Sequence, residues 1–161
     1  MPQPLIARIR TSVRPVLLRL RRLYFVKVWG MEIGEGTQIS LTAKLDKTWP
    51  TGIKIGHHSI VTFGAVLLTH DALHNRGGEV KIGNNCFIGA RCIILPGVEI
   101  GDHSIVAAGS VVVKSVPSHS LVAGNPAQII KSGVETGPYG EYWSAPRETL
   151  EPNGQRKSVS G

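Results

Sequence analysis

Aliphatic residues recur every six positions through the middle of the chain. A six-residue unit is too short for a strand and a helix, but it can hold one short strand and one corner. Three such units close a triangular coil, and stacked coils pair their strands in parallel around the aliphatic residues. The pattern predicts an all-β solenoid over residues 32–117. The recurring positions are Ile33, Ile39, Leu45, Ile55, Val61, Leu67, Ile82, Ile88, Ile94, Ile100, Val106 and Val112.

The repeat is interrupted twice. The first break, between Leu45 and Ile55, contains Asp46, Lys47, Thr48, Trp49 and Pro50. A solenoid accommodates such insertions as loops that project outward, and loops carry function more often than the scaffold does. The two breaks are therefore the places where we expect chemistry. The second break, between Leu67 and Ile82, contains His70, Asp71, His74, Asn75, Arg76, Gly77 and Gly78.

The N-terminal segment has the periodicity of an amphipathic helix over residues 5–27. At 100° per residue, eight apolar residues share one arc and six arginines share the opposite arc. Pro15 lies on the polar side and is expected to kink or divide the helix. The predicted organisation is a basic helix (1–31), the solenoid (32–117), and a C-terminal cap with a flexible tail (118–161). The apolar arc contains Ile6, Ile9, Val13, Val16, Leu17, Leu20, Leu23 and Tyr24.

The net charge of +7 belongs to the N-terminal segment alone. Residues 1–31 contain six arginines, one lysine and no acid, whereas the rest of the chain has equal numbers of basic and acidic residues. This asymmetry argues against a nucleic-acid-binding body. The helix therefore either caps the first coil or lies on an anionic membrane through residues 5–27. Arginines interrupt its apolar run, so we predict neither a signal peptide nor a membrane span.

Two cysteines, Cys86 and Cys92, are too few for a disulfide scaffold and favour a reducing, cytoplasmic setting, with the inner face of the membrane as an alternative. Both occupy the small-residue position of the repeat, so we interpret them as core residues. His57, His58, His103 and His119 are interpreted as corner or surface residues.

The stretch from Ile82 to Lys114, IGNNCFIGARCIILPGVEIGDHSIVAAGSVVVK, resembles the hexapeptide-repeat acetyltransferases. With the turn Gly124-Asn125-Pro126-Ala127, the chain is most similar to the maltose and galactoside O-acetyltransferases and their polysaccharide-modifying relatives, over about residues 30–131. The resemblance implies a left-handed parallel β-helix, a homotrimer with active sites between subunits, and acetyl-CoA as cosubstrate. No metal is expected.

The resemblance also implies roles for individual residues. His70 matches the family's general base. Phe87 stands where many relatives have Trp, and Gln128 stands where relatives often have Arg, which puts one phosphate contact in doubt. The implied contacts with coenzyme A are Phe87, Ala90, Ala108, Val113, Lys114, Asn125, Gln128 and Lys131.

Acetyl transfer to an alcohol needs a base that removes the hydroxyl proton, a donor for the oxyanion and a site that holds both substrates. Histidine titrates near neutrality and suits the first task. No Gly-x-Ser-x-Gly motif or reactive cysteine context is visible, so direct transfer is favoured over an acyl-enzyme. Trp49 is either a loop anchor or a platform for a sugar ring. The predicted acceptor contacts are Asp46, Trp49, Asp71 and His74.

The sequence predicts an O-acetyltransferase that acts on a sugar or polysaccharide precursor. N-acetylation of an amino sugar uses the same base and cosubstrate and stays open. A γ-type carbonic anhydrase would need three suitably placed histidines, which this spacing does not offer. A non-catalytic scaffold would not explain the loop that carries His70.

Overall fold

A computed structural model of the protein describes residues 5–73, 75–142, 149–150 and 156–157. His74, predicted as an acceptor contact, and most of the segment 143–161 lie outside the described residues.

The chain passes through successive coils of three short strands. The first coil has β1 (Glu32–Ile33), β2 (Gln38–Ile39) and β3 (Lys44–Leu45), and after a 3-10 turn (Pro50–Gly52) the second has β4 (Ile53–Ile55), β5 (Ile60–Val61) and β6 (Val66–Leu67). A hairpin of β7 (His70–Asp71) and β8 (Arg76–Gly77) precedes the third coil, with β9 (Val80–Ile82), β10 (Phe87–Ile88) and β11 (Ile93–Ile94). The fourth has β12 (Glu99–Ile100), β13 (Ile105–Val106) and β14 (Val111–Val112).

The C-terminal part begins with an antiparallel hairpin of β15 (Ser120–Gly124) and β16 (Ala127–Ser132). A second 3-10 turn covers Pro138–Gly140, and β17 (Thr149–Leu150) pairs with β18 (Arg156–Lys157).

Each coil adds one strand to each of three parallel sheets. Sheet A has the order β1-β4-β9-β12, sheet B runs from β2 through β5, β10 and β13 to β15, and sheet C has the order β3-β6-β11-β14. The register stacks equivalent repeat positions, as in the column Ile33, Ile55, Ile82 and Ile100 of sheet A. All four side chains are buried. The parallel pairing that the six-residue period predicts is confirmed.

The corners between sheets A and B use left-handed backbone conformations. The φ angle is positive at Gly36, His58, Asn85, His103 and His119, which occupy equivalent places in successive coils. Histidine and asparagine tolerate this conformation better than most residues. The rings of His103 and His119 stack with their centroids 5.0 Å apart. These histidines are corner residues, as the sequence predicted.

The N-terminal helix α1 (Leu5–Trp29) continues through Pro15 as one helix, so the predicted division does not occur. Its buried Phe25 joins the core of the first coil. Arg22 donates to the carbonyl oxygens of Ile33 and Gly34, each at 2.8 Å, and Arg21 donates to that of Ala43 at 2.9 Å.

The helix therefore caps the first coil, but it does so with a face other than its apolar arc. Two arginines turn inward because the open edge of the first coil offers carbonyl groups that need donors. Most of the predicted apolar arc turns outward and is exposed: Val13, Val16, Leu17, Leu20, Leu23 and Tyr24.

Residues 133–142 run back over the corner between sheets A and B and form what we call the C-terminal strap. Val134, Thr136 and Gly140 are buried in it. These residues were expected to belong to a flexible tail, but they form a segment that packs on the coils. Its polar contacts join Val134 N to His119 O at 2.8 Å, Thr136 Oγ1 to Asn85 O at 2.7 Å and Tyr139 N to His58 O at 2.6 Å.

Candidate active site

The second break of the repeat folds into the hairpin that carries His70. In this hairpin His70 pairs with Gly77, and Asp71 pairs with Arg76. The Asp71 carboxylate accepts a hydrogen bond of 2.9 Å from the backbone of Leu73. His70 is half-buried and lies at the corner where sheet C ends and the chain returns to sheet A. A histidine on a loop at this edge can receive a substrate from outside the coil.

Asp46 joins the two breaks of the repeat. Its Oδ2 accepts hydrogen bonds from the backbone N–H of Thr69 at 3.0 Å and of His70 at 3.1 Å, and its Oδ1 accepts one of 2.8 Å from Thr48. Sequence reasoning made Asp46 an acceptor contact. The structure shows that its carboxylate also fixes the backbone at His70.

The same hydrogen bonds keep Asp46 ionised. Burial by itself would raise the pKa of this carboxyl, but hydrogen bonds from Thr48 and Thr69 outweigh that effect, and the pKa is lowered from its usual value of 3.8.

Trp49 rests on the backbone of both breaks. A Cβ atom placed on Gly52 would lie 3.1 Å from the indole, and one placed on Gly77 would lie 3.4 Å from it. The side chain is therefore a loop anchor, which was one of its two predicted roles. With 40% of its surface exposed, the ring also presents an area beside the hairpin that an acceptor can contact.

Three of the predicted coenzyme A contacts lie together. Phe87, Ala90 and Ala108 line one groove of about 250 Å³ near the corner between sheets B and C. The groove also contains Phe63, whose side chain is 57% exposed, and Arg14 of α1. Sequence reasoning missed both, although an exposed aromatic residue at a repeat corner is a signal that could have identified Phe63.

The remaining predicted contacts lie near the C-terminal end of the coils. Val113 and Lys114 are exposed after β14, and Asn125 and Gln128 are exposed at the turn between β15 and β16. Lys131 is also exposed but already has a partner, since its Nζ donates to the hydroxyl of Tyr142 in the strap at 2.6 Å.

One chain does not bring His70 to the groove. Sheet C separates the two places, because His70 follows its strand β6, whereas Ala90 and Ala108 precede its strands β11 and β14. His70 is not among the residues that line the groove. His70 and the groove therefore lie on opposite edges of sheet C, whereas Val113 and Lys114, which follow β14, lie on the same edge as His70.

Other reactive groups fit a structural role. Burial raises the pKa of the Cys86 thiol to about 11 and that of Cys92 to about 12, so neither is a nucleophile near neutral pH. Within the described ranges, no group of three or more His, Cys, Asp or Glu side chains could hold a metal ion. No described helix is long and apolar enough to cross a bilayer.

The chain is similar to known proteins of one kind. Residues 79–114 match the family model described as the hexapeptide repeat of succinyl-transferase. YvoF of Bacillus subtilis is 40% identical over 62% of this chain and 59% of its own length. Protein CapG of Staphylococcus aureus is 42% identical over 66% of this chain and 69% of its own. The chain thus spans less than two thirds of YvoF and slightly more than two thirds of CapG.

Solved structures agree with these matches. A hexapeptide-repeat-containing acetyltransferase from Vibrio cholerae is 33% identical, with 63% of this chain and 61% of that chain covered and a TM-score of 0.57. A maltose O-acetyltransferase from Clostridium difficile is 26% identical, with 70% of this chain and 74% of that chain covered and a TM-score of 0.56. The Vibrio protein has also been solved in complex with acetyl coenzyme A.

Proposed function

The chain belongs to the hexapeptide-repeat acetyltransferase family, and on that basis we propose that it transfers an acetyl group from acetyl-CoA to a hydroxyl of a sugar or polysaccharide precursor. The observation that carries the proposal is the position of His70. A hairpin interrupts the regular coil at this histidine, and a carboxylate from the other break accepts a hydrogen bond from its backbone N–H. A coil that served only as a scaffold would not need either feature.

In the proposed reaction His70 is the general base. Its neutral imidazole takes the proton of the acceptor hydroxyl while the oxygen attacks the thioester carbonyl. The tetrahedral intermediate collapses, the carbon–sulfur bond breaks, and the proton passes to the departing thiolate of coenzyme A. Two buried cysteines with raised pKa values leave direct transfer as the favoured route.

Coenzyme A is assigned to the groove and to the C-terminal end of the coils. Phe87, Ala90 and Ala108 form the wall of the groove. The family resemblance implies that Ala90 and Ala108 contribute through their backbone. Lys114 is exposed and free to reach a phosphate, with Val113 beside it. Asn125, Gln128 and Lys131 complete the assigned set, and Gln128 offers no charge where relatives often have Arg.

The acceptor is assigned to the hairpin side of the site. The exposed area of Trp49 suits a sugar ring, since an aromatic face binds the apolar face of a sugar. Asp71 and His74 are the remaining assigned acceptor contacts. The maltose O-acetyltransferase of similar fold supports a hydroxyl acceptor.

We further infer a homotrimer of left-handed coils. The outward positions of sheet C are the exposed Lys44 and the half-buried Val66, Ile93 and Val111, whereas all those of sheet A are charged. An apolar face that a single chain leaves uncovered favours association. Packing copies through sheet C would bring the His70 edge of one subunit to the groove of the next, and three-fold closure would build three such sites. Free cysteines and the cosubstrate favour a cytoplasmic enzyme.

An acceptor screen tests the proposed function. Purified protein is incubated with acetyl-CoA and either sugars, amino sugars or no acceptor, and released thiol is measured together with the mass of the product. A hydroxyl sugar that raises thiol release and gains an O-acetyl group supports the proposal. Acetylation confined to amino groups would overturn the O-acetyl assignment.

A further inference from the structure

The outward face of α1 is an apolar surface that nothing in the described chain covers. Val16 and Leu20 are each 57% exposed and Val28 is 66% exposed. Leu17 and Tyr24 lie on the same arc and are also exposed. Scattered exposed leucines are ordinary, but a continuous stripe along one helix indicates a surface that meets an apolar phase. We call this stripe the outer face of α1.

The helix cannot hide this face by rotating. Phe25 is buried in the first coil, and the Arg21 guanidinium lies 5.0 Å from the centre of its ring. Arg22 donates to two carbonyl groups at the open edge of the coil. Turning the stripe inward would break these hydrogen bonds and expose Phe25. The inward contacts therefore keep the apolar stripe in the solvent.

Positive charge surrounds the outer face. Arg14 and Arg19 are exposed on its two sides, and Lys27 is exposed within it. Lys47 of the first break adds a fourth cation, with its Nζ 5.9 Å from the ring centre of Tyr24 and 4.6 Å from that of Trp29. Residues 1–31 contain no acid that would neutralise these charges.

We propose that α1 lies in the plane of an anionic membrane surface, with its outer face among the acyl chains and its cations at the lipid headgroups. Aromatic rings beside the stripe suit the headgroup region, and long basic side chains extend from an apolar surface to the charged layer. The same charges disfavour a second copy of the helix as the occupant, because two such faces would bring like charges together.

Vesicle co-sedimentation of the full-length chain tests the proposal. The wild-type protein should sediment with vesicles of phosphatidylglycerol and phosphatidylcholine and much less with pure phosphatidylcholine. Binding should fall as salt rises from 0.05 M to 1 M, because the screening length shrinks to about 3 Å at 1 M. Failure to bind anionic vesicles at low salt would overturn the proposal.

Two sets of variants separate the apolar and the charged contributions. Leu17→Glu with Leu20→Glu should reduce binding at least about tenfold, since the charges would have to enter the apolar layer. Leu41→Glu, at an exposed leucine of the first coil, is the matched control and should bind like wild type. Arg14→Gln with Arg19→Gln and Lys27→Gln should remove most of the salt dependence.

Light scattering on the same variants tests whether a second copy of the chain, rather than a membrane, covers the outer face of α1. The Leu17→Glu and Leu20→Glu protein should keep the molecular mass of the wild type while it loses the vesicles. A drop to monomer mass would assign the outer face to a second copy of the chain and overturn the membrane proposal. Unchanged vesicle binding in both variant sets would overturn it as well.

Discussion

At the scale of single residues, the proposed chemistry depends on His70 and on the carboxylate that fixes its backbone. The two residues lie 24 positions apart in the chain, and the coil stacks their breaks so that Asp46 accepts the N–H of His70 at 3.1 Å. A base on a loop is useful only if the loop is held, because small displacements of a catalytic group are costly.

Replacing His70 with Ala should lower kcat by about two to four orders of magnitude, the usual contribution of a general base. The affinity for acetyl-CoA should change little, because the groove lies at another corner. Turnover with the acceptor and calorimetric binding of acetyl-CoA measure the two effects. His57→Ala, at an exposed histidine outside the hairpin, is the control. Activity of His70→Ala within tenfold of wild type would remove the residue from its assigned role.

Replacing Asp46 with Ala should lower kcat by about ten- to a hundredfold and leave the KM for acetyl-CoA unchanged, because the hairpin loosens while the groove stays intact. It should also cost about 1–3 kcal/mol of stability through the unpaired N–H groups. Asp46→Asn keeps one oxygen that can accept a hydrogen bond, so it should retain part of the kcat and part of the stability that Asp46→Ala loses. A variant as active and stable as wild type would show that these hydrogen bonds do not matter.

The stability effect of Asp46 should depend on pH. Its pKa is lower in the folded chain than its usual value of 3.8, so its ionised form stabilises the fold fully above that value. The contribution disappears as pH falls through the folded-state pKa. Urea unfolding should therefore separate wild type from Asp46→Ala most at pH 7, and the gap should narrow as the pH falls below 3.8. A gap that widens in acid would contradict the assigned ionisation.

The place of His70 on a loop could be predicted from sequence, since it lies in a break of a strict repeat. Its role as the base stays a prediction from the family resemblance. The task of Asp46 could not be predicted, because its partners depend on how the coils stack. Likewise, the contact between Lys131 and Tyr142 depends on a strap that the composition of residues 132–161 did not suggest.

At the scale of elements, the strap ties the C-terminal segment to the wall of the groove. Gly140 has a φ angle of +69°, and a Cβ atom there would approach the backbone nitrogen of Phe87 to 2.8 Å. Gly133, at the start of the strap, has a similar φ angle of +71° and open space around it. The two glycines differ in what they contact rather than in backbone conformation.

Gly140→Ala should therefore destabilise the protein by about 1–3 kcal/mol more than Gly133→Ala, since only the first adds a clash to the shared cost of a left-handed alanine. It should also raise the KM for acetyl-CoA, because Phe87 lines the groove. Thermal unfolding and steady-state kinetics measure the two effects. Equal destabilisation by both substitutions would mean that Gly140 is not in close contact with Phe87.

Lys114→Ala should raise the KM for acetyl-CoA about fivefold with little change in kcat, which corresponds to about 1 kcal/mol for an exposed charge contact. Lys81→Ala, at an exposed lysine of sheet A, is the matched control and should leave both constants unchanged. An unaltered KM in Lys114→Ala would remove this residue from the coenzyme A site.

The six-residue period predicted the coils because one strand and one corner are all that six residues can form. The same approach identified α1 but not the face that it buries. Periodicity separates an apolar arc from a basic one, and it left open whether the apolar arc packs on the coil or meets a membrane. In the structure Arg21 and Arg22 face the coil, because carbonyl groups at its open edge accept hydrogen bonds from them.

At the scale of the whole molecule, the two halves of the proposed site lie on opposite edges of sheet C. Within a single chain, the proposed base His70 is therefore separated from the groove that is assigned to coenzyme A. The proposed homotrimer resolves this separation, because each sheet C face would be covered by a neighbouring copy. Activity should consequently depend on assembly.

A subunit-mixing experiment tests the shared site most directly. His70→Ala removes the base and Ala108→Trp fills the groove, so each variant alone should be inactive as a trimer. In a mixed trimer, one of the three sites combines an intact His70 with an intact groove, so co-expressed and separately tagged chains should recover about one third of wild-type activity. Mixed trimers that stay inactive would place the whole site within one chain and contradict the proposed architecture.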